Sequence, residues 1–577
     1  MLSRFFIPVA ALVFILAVPG FSADRLLKYI PADTTMEFTV DPASLLLKAG
    51  VNDLASLDVV RESLSNIDDP SQRAIVERYL RDPASTGFDP STRLHVFVTS
   101  LDIPDGSSPS AATNGNAETL LGFVIGLSDA GKFEDFLHSA GFTPLPAKKS
   151  GTMRTVFLTN VILAWNDEAA VALSLSNSES ESDADNRVSL ILNSDEKSGL
   201  VSNPSFADQQ SRTWDLSLWM AVGKLMEKEK GLLEKNAGDL SEEILDSVRN
   251  MDLSMSLDFR PGETRLDIAA HITNNPMQDW KSFLKPFDRK FLSNFGGSDV
   301  SAAFSFSYNM SAYMKVLEKY LDKIPDIQKS LPEIEDGLGV PLTNLLNSFA
   351  IDGMFTLSGL DVVKQKFTLL GGFTLKDKKP IQKVLDNLVK TEGIVQKKSG
   401  KNVYYAFPSG SKNPDAEDVP IYLFLKDNAV FIASADERDR VLAGKKAGNL
   451  PGNITALATD HTVQLYISAD VLKGIPTDSD EGELVKEIED NIRSLTVTAD
   501  TADANESICR LTIATTNPQE NSLQVLLRWA AKVAAAENTK KEQIRKNHED
   551  NGDIDKNGAP DLPDNWWKHA DSSHYHQ

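Results

Sequence analysis

The feature that most constrains this chain is a long internal repeat. Leu-Leu-Gly occurs at 120–122 and again at 369–371, and Lys-Lys-Ser-Gly at 148–151 and again at 397–400. Both pairs are 249 residues apart (120 to 369, 148 to 397). Farther on, "NDEAAVALS" at 166–174 answers "KDNAVFIAS" at 426–434, the spacing having grown by an inserted polar loop, "PSGSKNPDAEDVP". "DSVRNMDLSMSL" at 246–257 answers "DNIRSLTVTADT" at 490–501, and the Arg-Leu of 265–266 answers that of 510–511. Ordered matches at near-constant spacing are the signature of tandem structural units. The expectation is two copies, residues 24–285 and 286–535, followed by a polar tail, 536–577.

Each copy alternates short β-branched, aromatic-rich runs with amphipathic stretches. "RLHVFVTSL", "TLLGFVIGL", "RTVFLT", "VILAW" and "AAVALSL" read as strands of the first copy, and "VYYAF", "PIYLFL" and "AVFIAS" as strands of the second. "DAGKFEDFLHSAGF" reads as a helix with Phe133, Phe136 and Leu137 on one face and a stop at Gly141, and "DKKPIQKVLDNLVKTEG" as its counterpart, with Pro380 at the start and Gly393 past the end. Strands joined by short turns and punctuated by helices imply an α+β fold of largely antiparallel sheet with packed helices. The polar stretches 105–119 and 176–186 read as surface loops. Residues 523–530, with Leu523, Leu526, Leu527 and Trp529, read as a helix that docks on the second copy.

The chain opens "MLSRFFIPVAALVFILAVPGFSADRLL". A positive Arg4, a short apolar core and small residues before Asp24 are the layout of a secretory signal peptide, residues 1–23. No later apolar stretch is long enough to span a bilayer, so the mature chain is expected to carry no transmembrane helix. The single cysteine, Cys509, lies in an alternating strand pattern and reads as a buried thiol rather than a nucleophile. A formal net charge of −23 disfavours nucleic acid as a partner and favours cations or basic groups. The expected setting is periplasmic, cell-surface or secreted.

Catalytic signatures are sparse. Phosphate-cradling glycine loops, H-E-x-x-H and G-x-S-x-G do not occur. Lys-Ser-Gly at 149–151 and 398–400 is shared with penicillin-binding proteins, but the S-x-x-K pairs Ser194–Lys197 and Ser409–Lys412 lie in polar loops, and Ser-Gly before a strand ordinarily makes a turn. His95, His138, His271 and His461 are scattered, with no matching histidine in the other copy.

The tail holds the most legible chemistry. In "DIDKNGAPDLPD" at 553–564, side-chain oxygens fall at Asp553, Asp555, Asn557, Asp561 and Asp564, with Gly558 at the sharp turn and the Ala559 carbonyl completing the set. This is the D-x-[DN]-x-[DN]-G spacing of a calcium loop, in which a hard cation relieves the repulsion among alternate carboxylates. The stretch resembles the calcium loops of dockerin modules and thrombospondin type 3 repeats. It departs from an EF-hand at Pro560 and in having no helix after it, and it stands alone. Trp566 and Trp567 follow in the polar tail. The duplicated body is similar to uncharacterised families of exported bacterial proteins, a resemblance that implies fold and location without an activity. The readings carried forward are a non-enzymatic exported binding or scaffold protein with a calcium loop and an envelope or extracellular partner or ligand, a carrier of a hydrophobic ligand such as lipid, and an exported hydrolase with its site between the copies.

Overall fold

The computed structural model describes residues 24–532 except 51–59, 62–63, 65–66, 68–69, 100–118, 143–152, 159, 176–179, 229–247, 274–284, 286, 298, 311, 316–324, 362–365, 392–393, 408–419, 474–479 and 502–505. The segments read as a signal peptide and as a calcium loop, and Trp566 and Trp567, lie outside the described residues.

The first half contributes β1 (Met36–Val40), β2 (Leu94–Thr99), β3 (Leu120–Gly126), β4 (Arg154–Leu158), β5 (Val161–Trp165), β6 (Ala169–Ser174), β7 (Leu216–Ala221), β8 (Met251–Arg260) and β9 (Glu263–Ile272). The second contributes β10 (Val300–Ser307), β11 (Phe349–Asp361), β12 (Lys366–Leu375), β13 (Val395–Ser399), β14 (Asn402–Ala406), β15 (Tyr422–Lys426), β16 (Ala429–Ala433), β17 (Val463–Ser468), β18 (Ile492–Thr501) and β19 (Glu506–Thr515). Spatially the first half runs β4-β5-β6-β3-β2-β1-β7-β8-β9. The second runs β13-β14-β15-β16-β12-β11-β10-β17-β18-β19. Among the described residues the order is the same, with β13 added at the edge of the second half. Every pairing is antiparallel, so the architecture is α+β.

The halves join edge to edge. β9 and β19 pair antiparallel from Glu263↔Ala514 to His271↔Glu506, which makes one 19-stranded sheet. Leu266 faces Leu511 across this seam, and these are the leucines of the repeated Arg-Leu pair. Equivalent strands paired antiparallel generate a local twofold axis, here at that pair.

The helices read over 129–142 and 377–393 form, with others beside them. α1 (Pro42–Ala49) is capped by Asp41, and α3 (Ala130–Ser139) by Asp129, while Gly141 takes the left-handed φ of 85° that ends the amphipathic run. α2 is Pro70–Arg81, α4 Glu181–Leu192, α5 Pro204–Ser211, α6 Lys379–Thr391, α7 Ala435–Leu442 and α8 Gly452–Asp460, and α9 covers residues 522–532. One sheet face is covered at one end by α1, α2 and α3 over Val40, Leu94 and Ile125, and at the other end by α6 over Leu375 and Tyr405. The opposite face carries α4 over Phe97 and Trp219, and α7 and α8 over Ala303 and Met354.

Three expectations need correction, and one repeated motif differs in register. Residues 181–186 are not loop but the first turns of α4, because Ser180 caps the helix and Ala184, Val188 and Ile191 bury behind the acidic start. α9 docks on the first half, not the second: Asn521 Nδ2 donates to Phe259 O, Ser522 Oγ donates to Glu263 O, and Leu523 and Leu526 pack on the first-half core. Cys509 lies in β19 as expected but is half-buried. The repeated Leu-Leu-Gly marks equivalent strands out of register. Gly122 faces Phe97, and a Cβ there would sit 2.1 Å from that ring, whereas Gly371 faces Phe355 on the other side of the sheet.

Replacing Leu266 with Lys puts a charge into the seam. Urea unfolding is expected to show a loss of about 1–3 kcal/mol, against less than about 0.5 kcal/mol for Leu190→Lys on the exposed face of α4.

Candidate functional site: an apolar cleft at the seam

The sheet register builds two rows of opposite character. On one face Leu94, Val40, Leu216, Leu257, Leu266, Leu511, Val497, Leu465, Phe304 and Phe355 stand directly opposite one another across ten strands. On the other face His95, Thr39, Ser217, Ser256, Asp267, Arg510, Thr498, Gln464 and Ser305 do the same across nine. Burial is the reverse of what this chemistry suggests. Thr39, Ser217, Ser256, Asp267, Thr498, Gln464 and Ser305 are buried, whereas the leucines from Leu216 to Leu465 are only half-buried and Phe304 is 37% exposed. A buried polar group costs free energy unless it is hydrogen-bonded, a cost borne by Gln464 and Ser305, whose side chains have no partner among the described residues, and contiguous accessible apolar surface marks a binding face.

The polar side finds many of its partners in the helix that covers it. Gln209 of α5 donates to Leu218 O and Met255 O, at 3.0 and 3.1 Å, and Gln210 donates to Thr39 Oγ1 at 3.0 Å. At the seam Asp267 accepts from Arg265 of its own strand and from Arg510 across it, at 2.9 and 2.8 Å. Burial raises its carboxyl, but the two guanidiniums hold it below the ordinary value.

The apolar side opens into a cleft of about 570 Å³, within the range of about 300–1,000 Å³ usual for small-molecule sites. Its floor is one cross-strand row over five consecutive strands: Ile268, Cys509, Ala499, Val463 and Phe306. Tyr308, Met310 and Tyr313, from the segment after β10, wall it. Asp500 and Thr462 form the polar rim. Asp500 accepts from Thr462 N at 3.0 Å and pairs with His461 Nδ1 at 2.6 Å; burial raises its carboxyl, but His461 and the backbone donor leave it lowered. Periodicity signalled strands here, but it did not signal which face would remain open.

The predicted chemical residues fall elsewhere. Ser194 turns back to donate to Ile191 O at 2.6 Å and does not face the cleft lining. Lys398 and Ser399 end β13, and Gly400, with φ 60°, opens the turn into β14; 149–151 and Ser409–Lys412 lie outside the described residues. Among the described residues no group of three or more His, Cys, Asp or Glu side chains is arranged to hold a metal. His95 is packed in the core, where Nε2 meets Asp24 Oδ2 at 2.9 Å and Nδ1 meets Glu37 Oε1 at 2.8 Å. Thr39 Oγ1 lies 3.3 Å from Nδ1, but the ring is fully buried, so no substrate meets this triad. Burial disfavours the charged ring, and the two carboxylates outweigh it, raising His95 to about 9.

Because the folded value lies above the unfolded 6.5, this ion cluster stabilises the fold fully below about pH 6.5 and loses its contribution as pH rises through 9. Urea unfolding at pH 6 and pH 9.5 is expected to differ by up to about 3 kcal/mol from this group, and His95→Gln to flatten the difference.

No curated protein sequence matches the chain. Among solved structures, crystal form IV of TP0453 is similar at 11% identity, covering 44% of this chain and 83% of that one with a TM-score of 0.24. Crystal form III of TP0453 is similar at 12% identity, covering 44% and 84% with a TM-score of 0.23. Residues 27–403 match the family described as "Domain of unknown function (DUF4836)", and the chain belongs to that family.

Proposed function

We propose that this chain is a non-enzymatic binding protein, exported by its N-terminal signal to the cell envelope or beyond, that arose by duplication of one α+β unit and holds an apolar ligand in the seam cleft. One observation carries this: the deeper burial falls on the polar face of the central sheet, and the apolar face is left accessible around a cleft of about 570 Å³. A soluble fold gains by burying leucine and isoleucine rows, at about 25 cal/mol per Å². Accessible rows are the surface on which an apolar ligand gains the same energy. The hydrolase reading lacks a comparable observation: Asp500 orients His461, but among the described residues no hydroxyl or thiol hydrogen-bonds to that ring, and His95 is sealed in the core.

The test is titration of the full chain with a neutral naphthylamine dye that fluoresces in apolar surroundings. Saturable binding is expected, weakened at least tenfold by Ala499→Phe, which fills the floor, and by Val463→Asp, which charges it. Absence of saturable binding, or unchanged affinity in both variants, sinks the proposal.

The tail loop remains a separate proposal of calcium binding through Asp553, Asp555, Asn557, the Ala559 carbonyl, Asp561 and Asp564. Calorimetric titration of the full chain with calcium is expected to show one site, lost on Asp553→Ala. Heat that persists in that variant rejects the assignment.

A further inference from the structure

The two halves treat the same part of the sheet differently. On the first half, α9 is seated beside the seam, where Asn521 Nδ2 donates to Phe259 O of β8 and Ser522 Oγ to Glu263 O of β9. Leu523 and Leu526 pack against the core that also gathers Leu216, Leu257 and Val40. Val525 is 3% exposed. The entry to α9 is clamped, since Gly262 N donates to Glu520 O at 2.8 Å and Ser522 Oγ donates to Glu263 O at 2.8 Å. The strands of the second half that correspond to β8, β7 and β1 are β18, β17 and β10. Their apolar surface beside the seam is the cleft, floored by Ala499, Val463 and Phe306. The twofold axis at Leu266–Leu511 exchanges the two places.

The geometry points to an amphipathic helix of a partner protein as the occupant of the seam cleft, seated there as α9 is seated on the first half. This deepens the proposed function and rests on the cleft being the ligand site. A groove that takes a helix is read by apolar side chains at i and i+3 or i+4. α9 supplies the template, with Leu523 and Leu526 three residues apart facing the sheet. Its solvent side carries cations that pair with acidic groups, Lys532 Nζ to Glu487 Oε1 at 2.6 Å and Arg528 Nη2 to Glu520 Oε2 at 3.0 Å. The net charge of −23 makes the same pattern, leucine inward and Lys or Arg outward, the chemistry that the second site recognises and attracts.

The experiment uses the full chain and a fluorescein-labelled synthetic peptide of residues 520–532, "ENSLQVLLRWAAK". An isolated helix this short is marginal in water, so micromolar affinity is expected. The peptide should bind saturably and displace the naphthylamine dye. Binding should fall at least tenfold in Ala499→Phe, and at least tenfold when both peptide leucines matching Leu523 and Leu526 are serine. Peptide binding unaffected by Ala499→Phe lies elsewhere and overturns the inference. Dye binding with no peptide displacement, or displacement by a long-chain fatty acid alone, also overturns it while leaving the proposed function intact. No dye binding at all removes the proposed function itself.

Discussion

The pairing of β9 with β19 is the constraint on which the rest of this structure depends. Without it each half would end in a ten-residue strand with one edge of N–H and C=O groups unpaired, a template for aggregation. With it both edges are consumed in one ladder, and among the described residues the joined sheet ends in the short strands β4 and β13. Equivalent strands placed edge to edge also set the symmetry. They align the apolar rows of the two halves into one row through Leu266 and Leu511, and they bring Asp267 of one half against Arg510 of the other.

A sheet continued in this way has two faces to cover, and the chain does so unevenly. α5 lies over the polar row and partners part of it through Gln209 and Gln210, so serines and threonines are buried there at little cost. The apolar face has helices over both ends and an opening between them. α9 shows how such an opening is closed from within the chain, by a terminal helix that crosses from the second half to the first.

The two halves also differ in what they bury. The first half places Asp24, Glu37 and His95 together in its interior and ties the chain at Asp24 to β1 and β2 through that ring. In the second half Ser305 and Gln464 stand opposite each other across β10 and β17 with Met354 beside them, so no ion cluster forms in that row. A charged interior cluster is sensitive to the loss of any member, because each leaves another charge unpaired. An apolar neighbour such as Met354 carries no such dependence.

Much of this was legible in the residues alone. Alternating apolar runs identified the strands, Asp129 and Gly141 bounded α3, and the recurrence of short motifs marked strands that occupy equivalent places. These are local properties, fixed by dihedral preference and periodicity within a dozen residues. The face on which each repeated residue falls was not local: Leu-Leu-Gly recurs, yet Gly122 and Gly371 lie on opposite faces because register is set by pairing with Phe97 and Phe355. Nor could periodicity say that α9 crosses the seam, that Cys509 floors a cleft, or that the leucine rows would be the accessible ones. An alternating strand declares that its two faces differ; which of them meets water is decided only when helices distant in sequence choose a side.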